Sequence, residues 1–153
     1  MVSAKGIAGG IAGLAGLAPI DNAHSALRTT GARVTQPRVQ VLATLLGAER
    51  AMSHHEIEAL LAGQSIDRVT VYRVLDWLVG QRLAHRISGQ DRVWRFGAVT
   101  GAEEDQYAFF ECEQCGQVVP LADAPKHTVA LPKGFDLRRV QLFATGLCDT
   151  CTS

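Results

Sequence analysis

The chain has 153 residues, 47% of them hydrophobic and 20% charged, enough apolar material for one domain or two small ones and too much for a disordered tail protein. Its formal net charge of zero argues against a protein that binds polyanions indiscriminately. The zero hides an asymmetry: residues 24–98 hold ten arginines, no lysine and six acids, a balance of +4, whereas residues 99–153 hold four bases and eight acids, a balance of −4. The N-terminal half is thus cationic through arginine alone, the side chain best suited to bidentate recognition of phosphate and guanine.

The opening run MVSAKGIAGGIAGLAGLAPI is small and apolar, yet glycines interrupt it and Lys5 is its only charge. It is expected to be a flexible Ala/Gly-rich extension, residues 1–23, rather than a signal peptide. No stretch is apolar and long enough to suggest a bilayer span. A short helix is expected near residues 24–30. In TQPRVQVLATLLGAE, Thr35 is an N-cap candidate, Pro37 falls in the first turn, Val39, Leu42, Leu45 and Leu46 share one face, and Gly47 is the stop. SHHEIEALLAG has Ser53 and Glu56 at capping-box spacing and runs to Gly63. His54 and His55, about 100° apart on such a helix, cannot form a metal clamp and are expected at the surface.

The third helix, IDRVTVYRVLDWLVG, has Asp67 as N-cap, Ile66 and Val71 as a hydrophobic staple, and a buried stripe of Val71, Val74, Leu75, Leu78 and Val79 ending at Gly80. LAHRIS and RVWRFG, separated by a GQD turn, read as a hairpin rich in β-branched and aromatic residues. Helices followed by a hairpin in this order make a winged helix-turn-helix. The second helix of that motif enters the major groove by its N-terminal residues, which here are Arg68, Thr70, Tyr72 and Arg73. Arginine can read guanine, threonine and tyrosine can bond phosphate, and tyrosine can touch a thymine methyl. Arg86, Arg92 and Arg95 are candidate wing contacts with the DNA backbone.

All four cysteines lie in the second half, in CEQC (Cys112, Cys115) and CDTC (Cys148, Cys151). Each pair follows a strand-like run, QYAFFE or VQLFATG, with Gly116 and Gly146 placed for tight turns. Two Cys-x-x-Cys pairs can close a tetrahedral four-thiolate zinc site with no open position, hence a structural one. Disulfides or a dithiol redox centre are the competing chemistry.

The segments RVTQPRVQVLATLL, SHHEIEALL, IDRVTVYRVLDWLVGQRLAHRI and FFECEQCGQVV…GLCDTC together resemble the ferric uptake regulator (Fur) family of metal-responsive bacterial repressors, most of all its zinc-sensing Zur branch. The resemblance runs from about residue 31 to 151. It implies an α+β chain: an N-terminal winged helix-turn-helix domain (residues 24–98), a hinge (99–106) and a small α/β dimerisation domain stapled by a four-cysteine structural zinc (107–153). It also implies a cytoplasmic homodimer on a palindromic double-stranded DNA operator. Tyr72 and Arg73 become recognition-helix contacts, and Arg38 resembles a phosphate-binding arginine.

The departures concern the sensor. Fur-like chains carry a His-rich segment before the first cysteine pair, where this chain has GAEEDQYAFF. Other family ligand positions fall on residues 95–97 and on Val140. His85 survives at the helix-to-wing corner, and with the acids Glu103, Glu104 and Asp105 it could form a weaker, oxygen-rich regulatory site for a second divalent metal. Alternatively His85 is a strand residue on the face of Ile87. Between QVVPLADAP and GFDLRRVQLFATG, residues 122–130 offer only a couple of helical turns. A repressor is the leading expectation. A zinc-ribbon redox or electron-transfer protein is the alternative, and it would not need the arginine-bearing start of the third helix. No Ser-His-acid set, phosphate-cradling glycine loop or His-Glu-x-x-His clamp points to an enzyme.

Overall fold

The structure is a computed structural model, and it describes residues 18–99, 106–121 and 128–153. Glu103, Glu104, Asp105 and most of the 122–130 segment lie outside the described residues; residues 128–130 have no regular structure.

The described residues open with α1 (Pro19–Thr29), which begins earlier than the sequence suggests. Pro19 in the first turn fixes a helical φ where the missing N–H costs nothing. Ala23, Ala26 and Leu27 then give the helix a small-residue face that is buried, so residues 19–23 are part of the core-forming helix rather than of a flexible extension. Next comes α2 (Gln36–Leu46), with Thr35 at the N-cap position but without a side-chain cap bond, and Gly47 as its C-cap. A two-residue strand β1 (Met52–Ser53) leads directly into α3 (His54–Leu60). The capping box is complete: Glu56 N–H donates to Ser53 Oγ at 3.2 Å and Ser53 N–H donates to the Glu56 carboxylate at 2.7 Å.

Helix α4 (Arg68–Gly80) is capped by Asp67, which accepts from the Thr70 N–H at 2.9 Å and the Thr70 hydroxyl at 2.7 Å. Val71, Val74, Leu75 and Leu78 are buried as its pattern requires, and Val79 packs partly buried beside them. With Leu27, Leu42 and Ile57 they make the main core. The hairpin β2 (Ala84–Ser88) and β3 (Trp94–Ala98) pairs antiparallel with His85 opposite Gly97, and β1 joins the far edge of β3 to complete the sheet β1-β3-β2. That third strand escapes sequence reading because two residues carry no period.

The second sheet has the order β5-β4-β6, from β4 (Gln106–Cys112), β5 (Val118–Pro120) and β6 (Val140–Gly146). β5 is antiparallel to β4, but β6 is parallel to it, in a register that sets Cys112 beside Gly146. A short α5 (Asp149–Thr152) closes the chain.

A second, smaller core joins the two sheets. Ala51, Ile87, Phe109 and Val118 are buried together, and Ala51 N–H donates to the Val118 carbonyl at 2.9 Å. The wing turn is tied down as well, because Gln90 N–H donates to the buried Glu111 carboxylate at 2.8 Å. Phe109 is the largest side chain in this junction and is 1% exposed. Phe109→Ala is expected to lower the unfolding free energy by about 3–5 kcal/mol, the range for truncating a buried aromatic ring. A loss of unfolding free energy from urea titration of less than a third of that amount would show that the junction contributes little.

Candidate metal centre and nucleic-acid interface

The two Cys-x-x-Cys motifs are brought together by the parallel pairing of β4 and β6. Cys112 ends β4 and Cys148 follows β6 by two residues, so aligning the strand ends puts both knuckles at one end of the sheet. In the first knuckle Gly116 has φ +74° and donates its N–H to the Cys112 carbonyl at 2.9 Å, a left-handed turn that suits glycine. Gly146 does not serve as such a turn. It ends β6, accepts from the Glu113 N–H at 2.8 Å, and leaves space for the Phe110 ring, to which a Cβ would come within 3.4 Å.

The sulfurs of Cys112, Cys115, Cys148 and Cys151 all lie within 4.8 Å of one another, and they form the metal-binding cluster found among the described residues. Cys115 Sγ and Cys148 Sγ, from different motifs, are 3.8 Å apart. A tetrahedral zinc with Zn–S bonds of about 2.3 Å needs S···S edges of about 3.8 Å; a disulfide needs about 2.05 Å. The donor set and its spacing therefore fit a structural zinc. Backbone N–H groups, that of Cys115 and then that of Cys148, pull the Cys112 thiol below its ordinary value. The Cys151 thiol is pushed up, first by its hydrogen bond with the Cys148 thiol and then by burial. Neighbouring thiolates thus resist a common charge until a dication supplies the opposite one.

Of the expected DNA contacts, Arg68, Tyr72 and Arg73 are exposed at the start of α4. Arg73 has no ion pair among the described residues, while Arg68 Nε lies 3.7 Å from Glu58. Thr70 is committed to the Asp67 cap through both its N–H and its hydroxyl. Arg38, half-buried on α2, lays its guanidinium over the Trp77 ring at 3.7 Å and donates to the Arg33 carbonyl at 2.6 Å. In the wing, Arg92 is exposed, whereas Arg95 forks onto Asp91 at 2.6 and 3.0 Å with a side chain only 11% exposed. That pairing holds the Asp91 carboxyl down at about 2. Arg86 lies over Trp94 at 4.7 Å and 3.6 Å from Asp76. The wing arginines are therefore divided: Arg95 braces the turn, and Arg92 is left at its surface.

One histidine stands differently from expectation, and a second takes the strand-residue alternative. His55 is exposed, but His54 is buried, with its ring stacked on Tyr72. Burial lowers its affinity for a proton despite Glu58 nearby. No periodicity signals this, because the contact crosses from α3 to α4. His85 shares a buried face with Ile87, and its ring meets the edge of Phe109 at 5.2 Å. A Cβ on Gly97 would lie 2.8 Å from His85 Nε2, so the facing strand position must be glycine for the imidazole to fit. Burial, and secondarily the charge of Arg139, takes the His85 pKa down to about 4.

The winged helix-turn-helix and the adjoining four-cysteine sheet define a class of transcription regulator. The sequence profile described as the ferric uptake regulator family matches residues 29–143. The chain is 30% identical over 135 residues to the transcriptional regulator FurA of Mycobacterium tuberculosis, covering 82% of this chain and 87% of that protein. It is 30% identical over 125 residues to the zinc uptake regulation protein of Escherichia coli, covering 78% of this chain and 72% of that one. The chain belongs to the ferric uptake regulator family of transcriptional regulators. Among solved structures, the fold is similar to a zinc uptake regulator complexed with zinc and DNA, at TM-score 0.62 and 24% identity, covering 87% of this chain and 92% of that one. It is also similar to the Helicobacter pylori ferric uptake regulator, at TM-score 0.58 and 14% identity, covering 88% and 92%.

The depressed His85 pKa has a defined sign. The unfolded chain binds this proton more tightly than the folded one, so the contribution is full above about pH 6.5 and is lost as pH falls toward 4, by about 3 kcal/mol in total. Wild type is expected to lose stability more steeply than His85→Gln between pH 6.5 and 4. Parallel pH profiles from urea unfolding would exclude a buried neutral imidazole.

Proposed function

We propose that this protein is a homodimeric, sequence-specific repressor, cytoplasmic and non-enzymatic, in which residues 24–98 bind operator DNA and residues 107–153 form the zinc-stapled dimerisation unit. The single observation that carries the reading is the joint presence of an arginine-bearing α4 start and a closed four-thiolate cluster in one chain. A redox protein would use the cysteines but has no use for exposed Arg68, Tyr72 and Arg73. The DNA-bound zinc uptake regulator with a similar fold supports the same assignment.

In this reading Arg73 and Tyr72 contact base edges, Arg68 the adjacent backbone and Arg38 a phosphate, while Thr70, whose hydroxyl proton goes to Asp67, holds the helix start in place. The Trp77 ring fixes the Arg38 guanidinium before DNA arrives, so less rotamer freedom is lost on binding. Structural zinc is held by Cys112, Cys115, Cys148 and Cys151, and its role is to lock the ends of β4 and β6 together. Dimerisation uses the open β6 edge of the second sheet, near which Phe135, Leu137 and Phe143 are exposed. Two half-sites then raise affinity through effective concentration. A second, regulatory divalent ion is assigned to the hinge, with His85, Glu104 and Asp105 as its ligands. The support for this site is the position of His85 between wing and second sheet, together with its neutral imidazole, the form that coordinates metal.

Metal analysis before and after mild chelation tests the two sites separately. One chelation-resistant zinc per chain and one labile ion are expected; a single resistant zinc would remove the hinge site alone. Cys112→Ser is expected to lose the resistant zinc and the dimer together, read by metal content and size-exclusion chromatography. A mutant that keeps both would overturn the structural-zinc assignment. For DNA, Arg73→Ala should cost about 1–3 kcal/mol on an operator and much less on a scrambled duplex, whereas Arg38→Ala should weaken both alike. Titrations at one fixed salt concentration distinguish them, and equal losses for Arg73→Ala would make it a phosphate contact.

A further inference from the structure

Helix α3 offers His54 and Glu58 one turn apart, and α4 offers Arg68 and Tyr72 at the same spacing. The two pairs meet across the helix-turn-helix. The imidazole of His54 stacks on the Tyr72 ring with centroids 3.4 Å apart and planes within 14°. Glu58 stands between the remaining groups, 3.7 Å from Arg68 Nε and 3.9 Å from His54 Nδ1. His54 is only 7% exposed, while Tyr72 remains 45% exposed and keeps a surface for a ligand. The base of this arrangement is fixed by the Ser53 and Glu56 capping box, which sets the start of α3 and with it the direction of His54.

Packing alone does not account for a histidine here. Its Nε2 is buried without a hydrogen-bond partner of ordinary geometry among the described residues, although the imidazole also faces the Arg68 backbone, an arrangement less favourable to the folded state than a phenylalanine in the same space. What the histidine provides is a flat ring for Tyr72 joined to a nitrogen that faces Glu58. An exposed tyrosine samples several rotamers, and ordering it on binding opposes association. A tyrosine already stacked has surrendered most of that freedom in the free protein.

We infer that His54 is a positioning residue for DNA recognition: it holds the Tyr72 ring in its DNA-facing orientation, while Glu58 keeps Arg68 alongside. This rests on the assignment of α4 as the recognition helix. His54 itself does not touch the duplex. The specificity of the protein for its operator is therefore set partly from α3, by a residue adjoining the recognition surface.

The test uses the full-length zinc-loaded protein, an operator selected from a random duplex pool by the wild type, and a scrambled duplex of equal length. His54→Ala is expected to weaken operator binding roughly threefold to tenfold, as for freeing one ordered side chain, with a smaller change on the scrambled duplex. His54→Phe restores the stack and should recover most of the loss. In the DNA-free protein, the Tyr72 ring-proton resonances should lose their imidazole ring-current shift in His54→Ala and keep an aromatic one in His54→Phe. Tyr72→Ala is the control. If it binds operator like wild type, the recognition-helix assignment fails and the inference with it. If Tyr72→Ala loses operator binding but His54→Ala does not, the assignment stands and the inference is wrong. Equal losses by His54→Ala on both duplexes, or no recovery by His54→Phe, would reduce His54 to a general structural residue and also overturn it. Should His54→Ala fail to fold, His54→Phe alone decides by retaining or losing operator preference.

Discussion

Four cysteine sulfurs within 4.8 Å of one another cannot all ionise without a cation, and that constraint governs the C-terminal half. The sheet on which they sit is small, and its central pairing, β4 with β6, is parallel. Parallel neighbours need a long connection and gain little from local closure. A metal joining the strand ends supplies what a short hairpin supplies elsewhere. The knuckle geometry is consistent with that dependence: Glu113 N–H donates to the Gly146 carbonyl at 2.8 Å and Cys148 N–H lies 3.4 Å from Cys112 Sγ, so each knuckle is braced by the other's chain.

The same sheet reaches the winged-helix half through the Phe109 junction. Glu111 holds the wing turn from one strand position before Cys112, and Arg95 and Asp91 stiffen that turn from within. The wing, the second core and the cysteine cluster are consequently linked by consecutive or hydrogen-bonded residues. A change in the order of the second sheet is felt at the wing by direct contact. In a transcription regulator of this family, that contact is a physical route by which order at the cysteine cluster reaches the wing.

The proposed recognition surface has a similar economy. Arg73 projects without an ion pair among the described residues, but the other polar groups around it are already engaged: Thr70 with Asp67, Arg68 with Glu58, Arg38 with Trp77. Such prior engagement limits their motion before a duplex is met. It also divides the arginines of the cationic half into those that face outward and those that brace the fold, Arg95 being the clearest of the latter.

Local chemistry made much of this legible from the chain alone. Caps at Ser53 and Asp67, the stripe from Val71 to Leu78, the paired Cys-x-x-Cys spacing and the arginine bias are all encoded within a few residues of one another, so the winged helix and the four-thiolate site could be read directly. Tertiary structure decided what depends on residues distant in sequence. The parallel register of β4 and β6, the two-residue strand β1, and the burial of His54 against Tyr72 and of His85 against Phe109 have no local period. Even the start of α1 at Pro19 follows from Ala23 and Leu27 finding a surface to pack against. A side chain's role is set by its neighbours in space, and sequence spacing specifies only those neighbours that lie within a turn or a strand.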